Sequence, residues 1–598
     1  MKRLEALGLT VLLLCTDIAA QDYDQFSHIA EFTGIASEEE IDIDELERLE
    51  RYLLRPLKIN LENPSRIKES GLLTNYQCVS LADYRLRHGD ILSLTELAAI
   101  DGFGADFVRR LAPFISLEIT NITGQDFYNA RRVRQEIDIK GGVRHNEQFK
   151  SNFALKYRFE AGDYLQGGIA VSKSFESSRA DAVTGNLLWH LKRSPVKLAI
   201  GDFNARFGQG LALWSGMSLS GLNKPSSYLK RSSHLSLSNS YTGNYSFRGI
   251  AAESNLKSLR MTVFAAFSDI KSKGDLLSAG NLTRLWKNGQ AGLTHYVVIS
   301  PTDPNYKIND MKTSCDFAFT LDGVDIFAET SYDWVSQSVA SLAGTVFPIS
   351  DIIRMAVMLR YYPSSYNPTY SASARALTKC SNEYGAALSS EFTYGNWINI
   401  NGHYGFGSNV RRFSGTFCCD AAYFPVSKSI DVSRSMQFRF ISELKVMISS
   451  ASALELRISE RVRTWGIPFR TDIRTNMLYY SKYFDASLRI NWLKCENIGL
   501  LTYVEGILKI ESFKLSFRAG LFHIDNWDDR IYAYERDIPG AFNVPAFYGR
   551  GYWLALTGGW RFSGWGRLYA RTSMTEYPFQ KEKKPGKAEL KLMLRIDL

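Results

Sequence analysis

Residues that could carry out chemistry are few in this sequence. The most concentrated group is His523 with Asp525, Asp528 and Asp529, a histidine beside carboxylates of the kind that an outer-membrane hydrolase needs. The chain contains only 8 histidines, and one acidic loop beside one of them arises easily by chance. No phosphate-binding loop, zinc motif or nucleotide fingerprint accompanies the group. The sequence therefore predicts a protein that is not an enzyme, with no catalytic residue, metal ion or cofactor.

Two segments rich in glycine and arginine interrupt a pattern that is otherwise regular: residues 201–211, and residues 536–542 with 549–551 after them. One interpretation is that both fold inward and line a constriction. The other is that they are bulges and tight turns, which glycine permits. The candidate lumen or constriction residues are Arg206, Gln209, Arg536 and Arg550.

The N-terminus has the pattern of an export signal. Lys2 and Arg3 precede a short apolar run, and Ala19-Ala20 supplies the small residues of a cleavage site. We expect a signal peptide over residues 1–20 and a linker over residues 21–36. Six cysteines follow the signal peptide, and their spacings match no zinc pattern, although one or two loop disulfides would be compatible with an oxidising compartment.

Residues 37–118 have the features of a small all-α domain. Apolar residues recur at helical spacing from Ile41 to Leu53, Asn63-Pro64 matches a helix start, and Ser93 with Glu96 has the spacing of a capping box. This segment carries 16 acidic and 10 basic side chains, whereas residues 119–598 carry 41 acidic and 59 basic ones. An acidic small domain therefore precedes a basic large one.

Within this segment, residues 97–111 resemble the helix-hairpin-helix motif, and residues 59–117 are similar to the tandem motif of competence-type DNA receptors. The resemblance implies that Gly102, Phe103 and Gly104 form a hairpin whose backbone N–H groups bind a phosphate oxygen. It also implies that Arg109 and Arg110 are phosphate contacts. All five are therefore candidate nucleic-acid-binding residues.

Two features depart from that motif. The first hairpin of the tandem, at residues 70–75, contains a single glycine, and the domain is acidic although nonspecific phosphate binding relies on positive charge. Two interpretations remain open. The hairpin binds DNA, or it packs two helices together in a structural or protein-docking domain.

The large domain, residues 125–598, shows a period of two in long runs such as residues 153–160 and 513–521. Strands with one lipid face and one polar face have this pattern, and the chain ends on such a strand, with leucine or isoleucine at every second position from Leu590 to Leu598. A soluble β-sandwich array would also alternate, but it would not explain the aromatic content of 13% or the last strand. We expect a transmembrane antiparallel barrel of about 16 to 20 strands.

Aromatic residues near strand ends fit the girdles at a membrane surface, and those expected to lie there are Tyr552, Trp553, Trp560 and Trp565. The whole chain resembles exported proteins that join a helix-hairpin-helix module to an outer-membrane barrel, a resemblance that carries no assigned activity. It implies an outer-membrane location with the N-terminal domain in the periplasm.

Two functions are compatible with this organisation. The first is DNA binding and uptake, or transport of an anionic polymer, because a basic barrel attracts polyanions. The second is a structural or assembly role, in which the helical domain plugs the barrel or docks a periplasmic protein. The expected partners are outer-membrane lipid and lipopolysaccharide, with DNA and a periplasmic or envelope protein complex as the alternatives.

Overall fold

A computed structural model of the chain describes residues 25–35, 43–119, 133–162, 164–191, 194–216, 222–238, 240–241, 246–256, 258–268, 274–300, 307–395, 412–430, 434–449, 451–580 and 584–598. The predicted signal peptide and its cleavage site lie outside these residues. Described residues up to 119 form a helical module, and those from 133 onward form a β-barrel with long inward connections.

Six α-helices build the helical module. They are α1 Gln25–Thr33, α2 Ile43–Leu54, α3 Pro64–Glu69, α4 Asn75–His88, α5 Leu94–Ala99 and α6 Gly104–Leu111. A 3-10 turn, Ala112–Phe114, follows α6, and the two-residue strands Leu57–Lys58 and Ile115–Ser116 pair in parallel.

Local capping sets where these helices begin. Thr74 Oγ1 accepts a hydrogen bond from the Gln77 amide (3.2 Å), and Gln77 Oε1 accepts one from the Thr74 amide (2.9 Å), which completes a capping box at α4. Ser93 accepts from the Glu96 amide at the start of α5, as the sequence predicts. The caps satisfy amides that have no partner within the helix.

Helix α1 occupies the segment that the sequence analysis assigns to a linker. Its Ile29 and Phe32 are buried in the same apolar core as Leu49 of α2 and Leu111 of α6. The short helix was missed because nine residues with three large apolar side chains, at positions 26, 29 and 32, are too short a stretch for a helical period to be recognised.

Twenty-four strands form the barrel wall. They are β1 Val133–Asn146, β2 Gln148–Ala161, β3 Leu165–Lys173, β4 Ala182–His190, β5 Val196–Arg206, β6 Phe247–Leu256, β7 Leu259–Ser268, β8 Asp275–Trp286, β9 Gly289–Ile299, β10 Ile308–Leu321, β11 Val324–Asp333, β12 Ser338–Pro348, β13 Ile353–Tyr362, β14 Glu383–Tyr394, β15 Arg412–Phe424, β16 Ser435–Met447, β17 Ser452–Arg463, β18 Phe469–Tyr480, β19 Phe484–Lys494, β20 Ile498–Ile510, β21 Phe513–Ile524, β22 Gly549–Arg561, β23 Gly566–Glu576 and β24 Lys587–Asp597.

Each wall strand pairs antiparallel with its neighbours, and β24 pairs with β1 to close the ring. The prediction of 16 to 20 strands is therefore too low. At the end of the barrel where the chain terminus lies, ten of the eleven connections are only two to five residues long, so the strands follow one another more closely than expected. The wider barrel encloses a larger lumen, because barrel diameter grows with strand number.

The two faces of the wall have opposite chemistry. Along β24, Leu590 and Leu592 are about half exposed on the outer face, whereas Met593 and Arg595 are buried on the inner face. The predicted alternation of the last strand is thus confirmed. Apolar residues outside and polar residues inside are what a strand needs between lipid and a polar lumen. None of the described helices combines the length and apolar character that crossing a membrane would require.

Only part of the predicted aromatic girdle faces outward. Trp560 and Trp565 are about half exposed at the end where the chain terminates. Trp553 is buried on the inner face instead, where its ring centroid lies 4.3 Å from that of Phe547. The period of two places residue 553 on the opposite face from residue 560, and a register count of this kind would have separated them.

The two ends of the barrel differ. We call the end with short turns and the chain terminus the terminal end, and the opposite one the loop end. The three longest connections at the loop end are residues 207–246, 363–382 and 525–548. Within them lie a 3-10 turn, Pro225–Ser227, the strand His234–Leu237 on β5, and the strand pair Ile531–Tyr532 with Ala546–Phe547.

Candidate functional site: the lumen and its plug

The helical module lies inside the lumen, in the half nearer the terminal end. Ion pairs attach it to the inner face of the wall on several sides. Arg66 on α3 lies 2.8 Å from Glu160 on β2, and Glu69 lies 3.3 Å from Lys197 on β5. Asn75 at the start of α4 donates to Gln290 on β9. The module is therefore fixed across a wide arc of the barrel.

The most buried of these contacts joins α2 to β2. Lys156 Nζ donates to Glu47 Oε2 at 2.7 Å, and the two side chains are 3% and 8% exposed. The Lys156 ammonium also lies 3.6 Å from the centroid of the Tyr241 ring. A buried pair of this kind contributes little net stability, but removing one partner leaves an uncompensated charge, so the pair strongly favours one position of the module.

A short turn joins α5 to α6 at the place where the sequence analysis puts the hairpin. Gly102 and Gly104 both have positive φ, +83° and +66°. A Cβ at Gly102 would lie 2.6 Å from the Tyr76 ring, so the turn packs closely against α4. Phe103 is buried in the module core. In this structure the hairpin therefore holds two helices of the module together.

The two arginines predicted as phosphate contacts face carboxylates. Arg109 pairs with Glu31 on α1 and lies 3.0 Å from Asp106. Arg110 lies 2.8 Å from Asp106 and 3.4 Å from Glu391 on β14, so one module arginine reaches the barrel wall. Arg109 thus joins α6 to α1 within the module, and Arg110 joins α6 to β14 of the wall.

Two acidic side chains of the module have shifted pKa values in opposite directions. Burial alone would raise the pKa of Glu31, but Arg109 and nearby lysines lower it to about 2. Burial raises the pKa of Glu50 to about 7, although the Gly540 amide donates to its carboxylate at 2.8 Å, and neighbouring Glu47 raises it further. Glu50 is therefore the acidic group of the module that titrates near neutral pH.

A second part of the plug comes from the loop end. The connection after β5 enters the lumen and is held by Glu329 on β11, whose carboxylate accepts from the amides of Gln209 (2.7 Å), Leu211 (3.1 Å) and Ala212 (3.2 Å). The Lys224 amide donates to Gly34 (3.0 Å), which joins this connection to the end of α1. Module and inward loop therefore form a continuous plug.

The connection after β21 also reaches the module. Tyr534 and Phe542 pack against the module core, and Gly540 bonds to Glu50 as described. Arg536 lies 3.0 Å from Glu505 on β20. This segment therefore contacts the module from the loop end of the barrel and helps to hold it in place.

Of the four residues predicted to line a constriction, three lie on the inner side of the barrel and one lies on the outer row of a strand. Arg206 is buried at the end of β5, Gln209 is buried in the inward loop that follows, and Arg536 lines the lumen. Arg550 lies on the outer row of β22 near the loop end, 2.7 Å from Asp525. The connections after β5 and β21 both enter the lumen, whereas residue 550 follows the strand alternation and faces outward.

The plug leaves a cavity on one side of the lumen. Inner-face residues of β8 and β9 are buried, whereas those of β17 and β18 remain half exposed. A cavity of about 380 Å³ lies there, between the module and the wall strands from β14 to β21. Arg457, Arg474 and Arg489 line it together with Glu443 and Glu455. The cavity is charged and reaches from the module to the wall.

Other candidate chemistry stays separate from the lumen. His523 and Asp525 are exposed, with 3.6 Å between His523 Nε2 and the carboxylate. Asp529 is buried and accepts from the Asn497 amide. The six cysteines of the described chain are free thiols, so none of the loop disulfides that the sequence allowed is formed there. Within the described ranges no group of three His, Cys, Asp or Glu side chains is arranged to hold a metal ion.

Sequence reasoning missed the residues that fix the plug, namely Glu47, Lys156, Glu329 and Glu391. Their positions within strands or helices are unremarkable for charged residues. One signal was available: several strands carry charged side chains on the face opposite the leucines, as Lys156, Arg158 and Glu160 do on β2. Many charged side chains on one face of the strands indicate a polar interior in which those charges need oppositely charged partners, but the pattern does not show which residues the partners are.

A closed barrel with an apolar outer surface and a polar lumen filled by its own N-terminal helices is a plugged transmembrane β-barrel by architecture. No family model matches the chain, and no curated protein matches it. Similarity to solved structures is found over the barrel, at low identity.

Three of these structures illustrate the range. The P pilus usher (PapC) translocation pore is 10% identical with a TM-score of 0.37, over 78% of this chain and 99% of that chain. The siderophore receptor PirA from Pseudomonas aeruginosa is 9% identical with a TM-score of 0.40, over 78% of this chain and 81% of that chain. OccK11 (OpdR) from Pseudomonas aeruginosa is 9% identical with a TM-score of 0.28, over 78% and 95%. At these TM-scores the similarity does not extend to function.

Proposed function

We propose that this chain is a non-enzymatic outer-membrane transport barrel whose N-terminal helical module closes the lumen and must move for a solute to pass. The observation that supports this most is the set of polar contacts between module and wall, with Lys156–Glu47 fully inside the lumen. Contacts made of paired charges can separate into water at lower cost than an apolar interface of the same area, because each charge is solvated when released.

The proposed orientation places the terminal end in the periplasm. Outer-membrane barrels have short periplasmic turns and longer extracellular loops, and the connections of this barrel are divided in the same way. The helical module would then enter the lumen from the periplasm, where a periplasmic or envelope protein could pull on it. The inward loops would close the opposite side.

DNA binding by the helical module is the second function that we propose. The glycine hairpin supports it, since such a turn presents backbone amides to a phosphate. Arg110 pairs with Glu391 of the wall and would lose this contact when the module leaves the lumen, which would make it more available to DNA. The carboxylate partners of Arg109, Glu31 and Asp106, belong to the module itself. A plug that binds cargo after release would combine the two functions named from the sequence.

Conductance in planar lipid bilayers tests the plug directly. We expect low conductance from the full chain and a large stepwise increase from a variant that lacks residues 25–119. A variant with the exposed pair Asp83 and Arg87 replaced by alanine should conduct like the full chain, because that pair lies on the module surface. Equal conductance of the deletion variant and the full chain, with β-structure intact by circular dichroism, would contradict the proposal.

A further inference from the structure

Four arginines gather on the inner face of the wall near the loop end. This arginine cluster consists of Arg439 on β16, Arg461 and Arg463 on β17, and Arg470 on β18. In the strand register Arg439 lies opposite Arg461, and Arg461 lies opposite Arg470. Directly opposed residues have Cβ atoms about 5 Å apart, so three guanidinium groups share one row across three strands.

Few carboxylates compensate these charges. Among the described residues, no carboxylate lies within 4 Å of the guanidinium groups of Arg461, Arg463 or Arg470, since the ion pairs found there involve only Arg439. Arg439 lies 3.3 Å from Asp420, which also pairs with Arg360 at 2.5 Å. The cluster therefore has a clear excess of positive charge.

The other polar contacts of the cluster are made with neutral groups. Arg470 donates to the backbone oxygens of Asp528 (3.0 Å) and Arg530 (2.8 Å). Arg463 Nε donates to Gln437 Oε1 (2.6 Å). Arg461 Nε is buried and has no hydrogen-bond partner within the described part of the chain. Arg439 Nε is likewise buried without a partner among these residues, so unsatisfied donors of β16 and β17 lie next to each other in the row.

Like charges opposed across strands destabilise a sheet. The arrangement also costs desolvation, because all four side chains are only partly exposed. An anion that balances these charges would stabilise the cluster, as phosphate does when arginine forks bind it. The inner face is separated from lipid by the wall, so the anion must come from the lumen.

We propose that the arginine cluster binds a phosphate group of a solute that enters the lumen from the loop end. A phosphate offers three oxygens and close to two negative charges, which fits three guanidinium groups in one row. A carboxylate offers two oxygens and one charge, which a single arginine fork already satisfies. The place of this site on a transport route rests on the proposed function, whereas binding itself does not.

The same row continues into the cavity beside the plug. Arg457 lies four residues before Arg461 on the same face of β17, and it lies opposite Arg474 on β18. Both line the 380 Å³ cavity. A phosphate bound at the cluster therefore has a second group of arginines further into the barrel, where Glu443 and Glu455 supply opposing charge.

Calorimetric titration of the full chain in detergent tests binding. The probes are inorganic phosphate, pyrophosphate and succinate at one ionic strength, with Arg461→Gln as the variant and Arg87→Gln as the control of equal charge change on the module surface. We expect pyrophosphate to bind more tightly than phosphate, and R461Q to weaken both by about tenfold or more, as losing a charged hydrogen bond does. The R87Q variant should bind like the natural chain.

A thermal measurement separates binding from folding. Phosphate should raise the melting temperature of the natural chain but not that of R461Q, and R461Q without anion should melt no lower than the natural chain because opposed charges are relieved. Failure to bind phosphate or pyrophosphate, or succinate binding as tight as pyrophosphate, would overturn the inference. A chain that binds neither anion but conducts after removal of the module fails only this inference and leaves the plug intact.

Discussion

Lys156 of the barrel wall and Glu47 of helix α2 form a hydrogen-bonded ion pair of 2.7 Å inside the lumen. The pair joins residues 109 positions apart in the chain, so it forms only when the helical module has entered the barrel. The pair is therefore specific to the docked state, whereas the apolar core of the module would persist after the module leaves the lumen.

We expect the variants Glu47→Gln and Lys156→Met to destabilise docking of the module by about 3–5 kcal/mol each, because each leaves a buried charge without its partner. The double variant should be less destabilised than either single one. Trypsin cleavage of the module in the folded barrel measures docking. A parallel cycle on the exposed pair Asp83 and Arg87 should show coupling of about 1 kcal/mol or less. Strictly additive effects at Glu47 and Lys156 would show that the pair does not hold the plug.

Plug docking should depend on pH through Glu50. The pKa of this carboxyl is about 7 in the docked module against 4.5 as its ordinary value. Because the docked state binds the proton more tightly, docking is favoured below pH 4.5 and loses this contribution as the pH rises from 4.5 through 7. The charged groups that face Glu50 are Glu47 on its own helix, Lys140 on β1 and Arg595 on β24.

The measurement is open probability in bilayers between pH 4.5 and 8. We expect a several-fold rise with pH for the natural chain and loss of that rise in Glu50→Gln. Partly buried Lys68 on α3, whose pKa is lowered to about 7, would act in the opposite direction because its docked state binds the proton less tightly. Asp83→Asn, on the exposed face of α4, should keep the response of the natural chain. Glu31 does not interfere, because its pKa of about 2 lies below this window. The same slope in E50Q and the natural chain would assign the effect to another group.

Substitution of Gly102 by alanine should destabilise the helical module more than substitution of Gly89. Both glycines have a φ near +85°, where alanine costs about 1 kcal/mol. A Cβ at Gly102 also meets the Tyr76 ring at 2.6 Å, whereas at Gly89 nothing lies within 4 Å. Hydrogen exchange of α4 and α6 compares the two variants, and equal protection would mean that the Tyr76 ring moves aside without cost.

Loss of the Glu329 carboxylate should release the inward loop after β5. In Glu329→Ala three backbone amides lose their acceptor, at about 1–3 kcal/mol for each donor left buried and unpaired. Glu329→Gln keeps one acceptor oxygen and should retain part of the anchoring. Protease cleavage within residues 222–238 measures release, with Glu176→Ala, an exposed loop carboxylate, as the control. Unchanged cleavage in E329A would show that other contacts suffice.

DNA binding should require an open plug if it occurs through the hairpin. We expect the natural chain to bind a short duplex weakly and Glu47→Lys, which places a like charge beside Lys156, to bind it more tightly at low salt. Replacement of Arg109 and Arg110 by glutamine should abolish that gain. Binding that is equal in all three chains would remove the hairpin from nucleic-acid recognition.

The sequence by itself determined the classes of structure. The period of two along residues such as 590–598 is a local property, because successive side chains of any strand face opposite sides, and it predicted the barrel correctly. Helix starts at Pro64 and Ser93 were equally local, since caps involve residues three apart. Strand number was not local, because it depends on how much chain each connection uses.

Only the tertiary structure decided where the helical module sits. Whether Arg110 meets a phosphate or Glu391 depends on residues 281 positions apart being brought together, and no pattern along the chain encodes that distance. The charged residues of the lumen were visible as the polar face of each strand, but their partners were not. Ion pairs between distant segments form only in the complete fold, and these pairs hold the helical module inside the barrel.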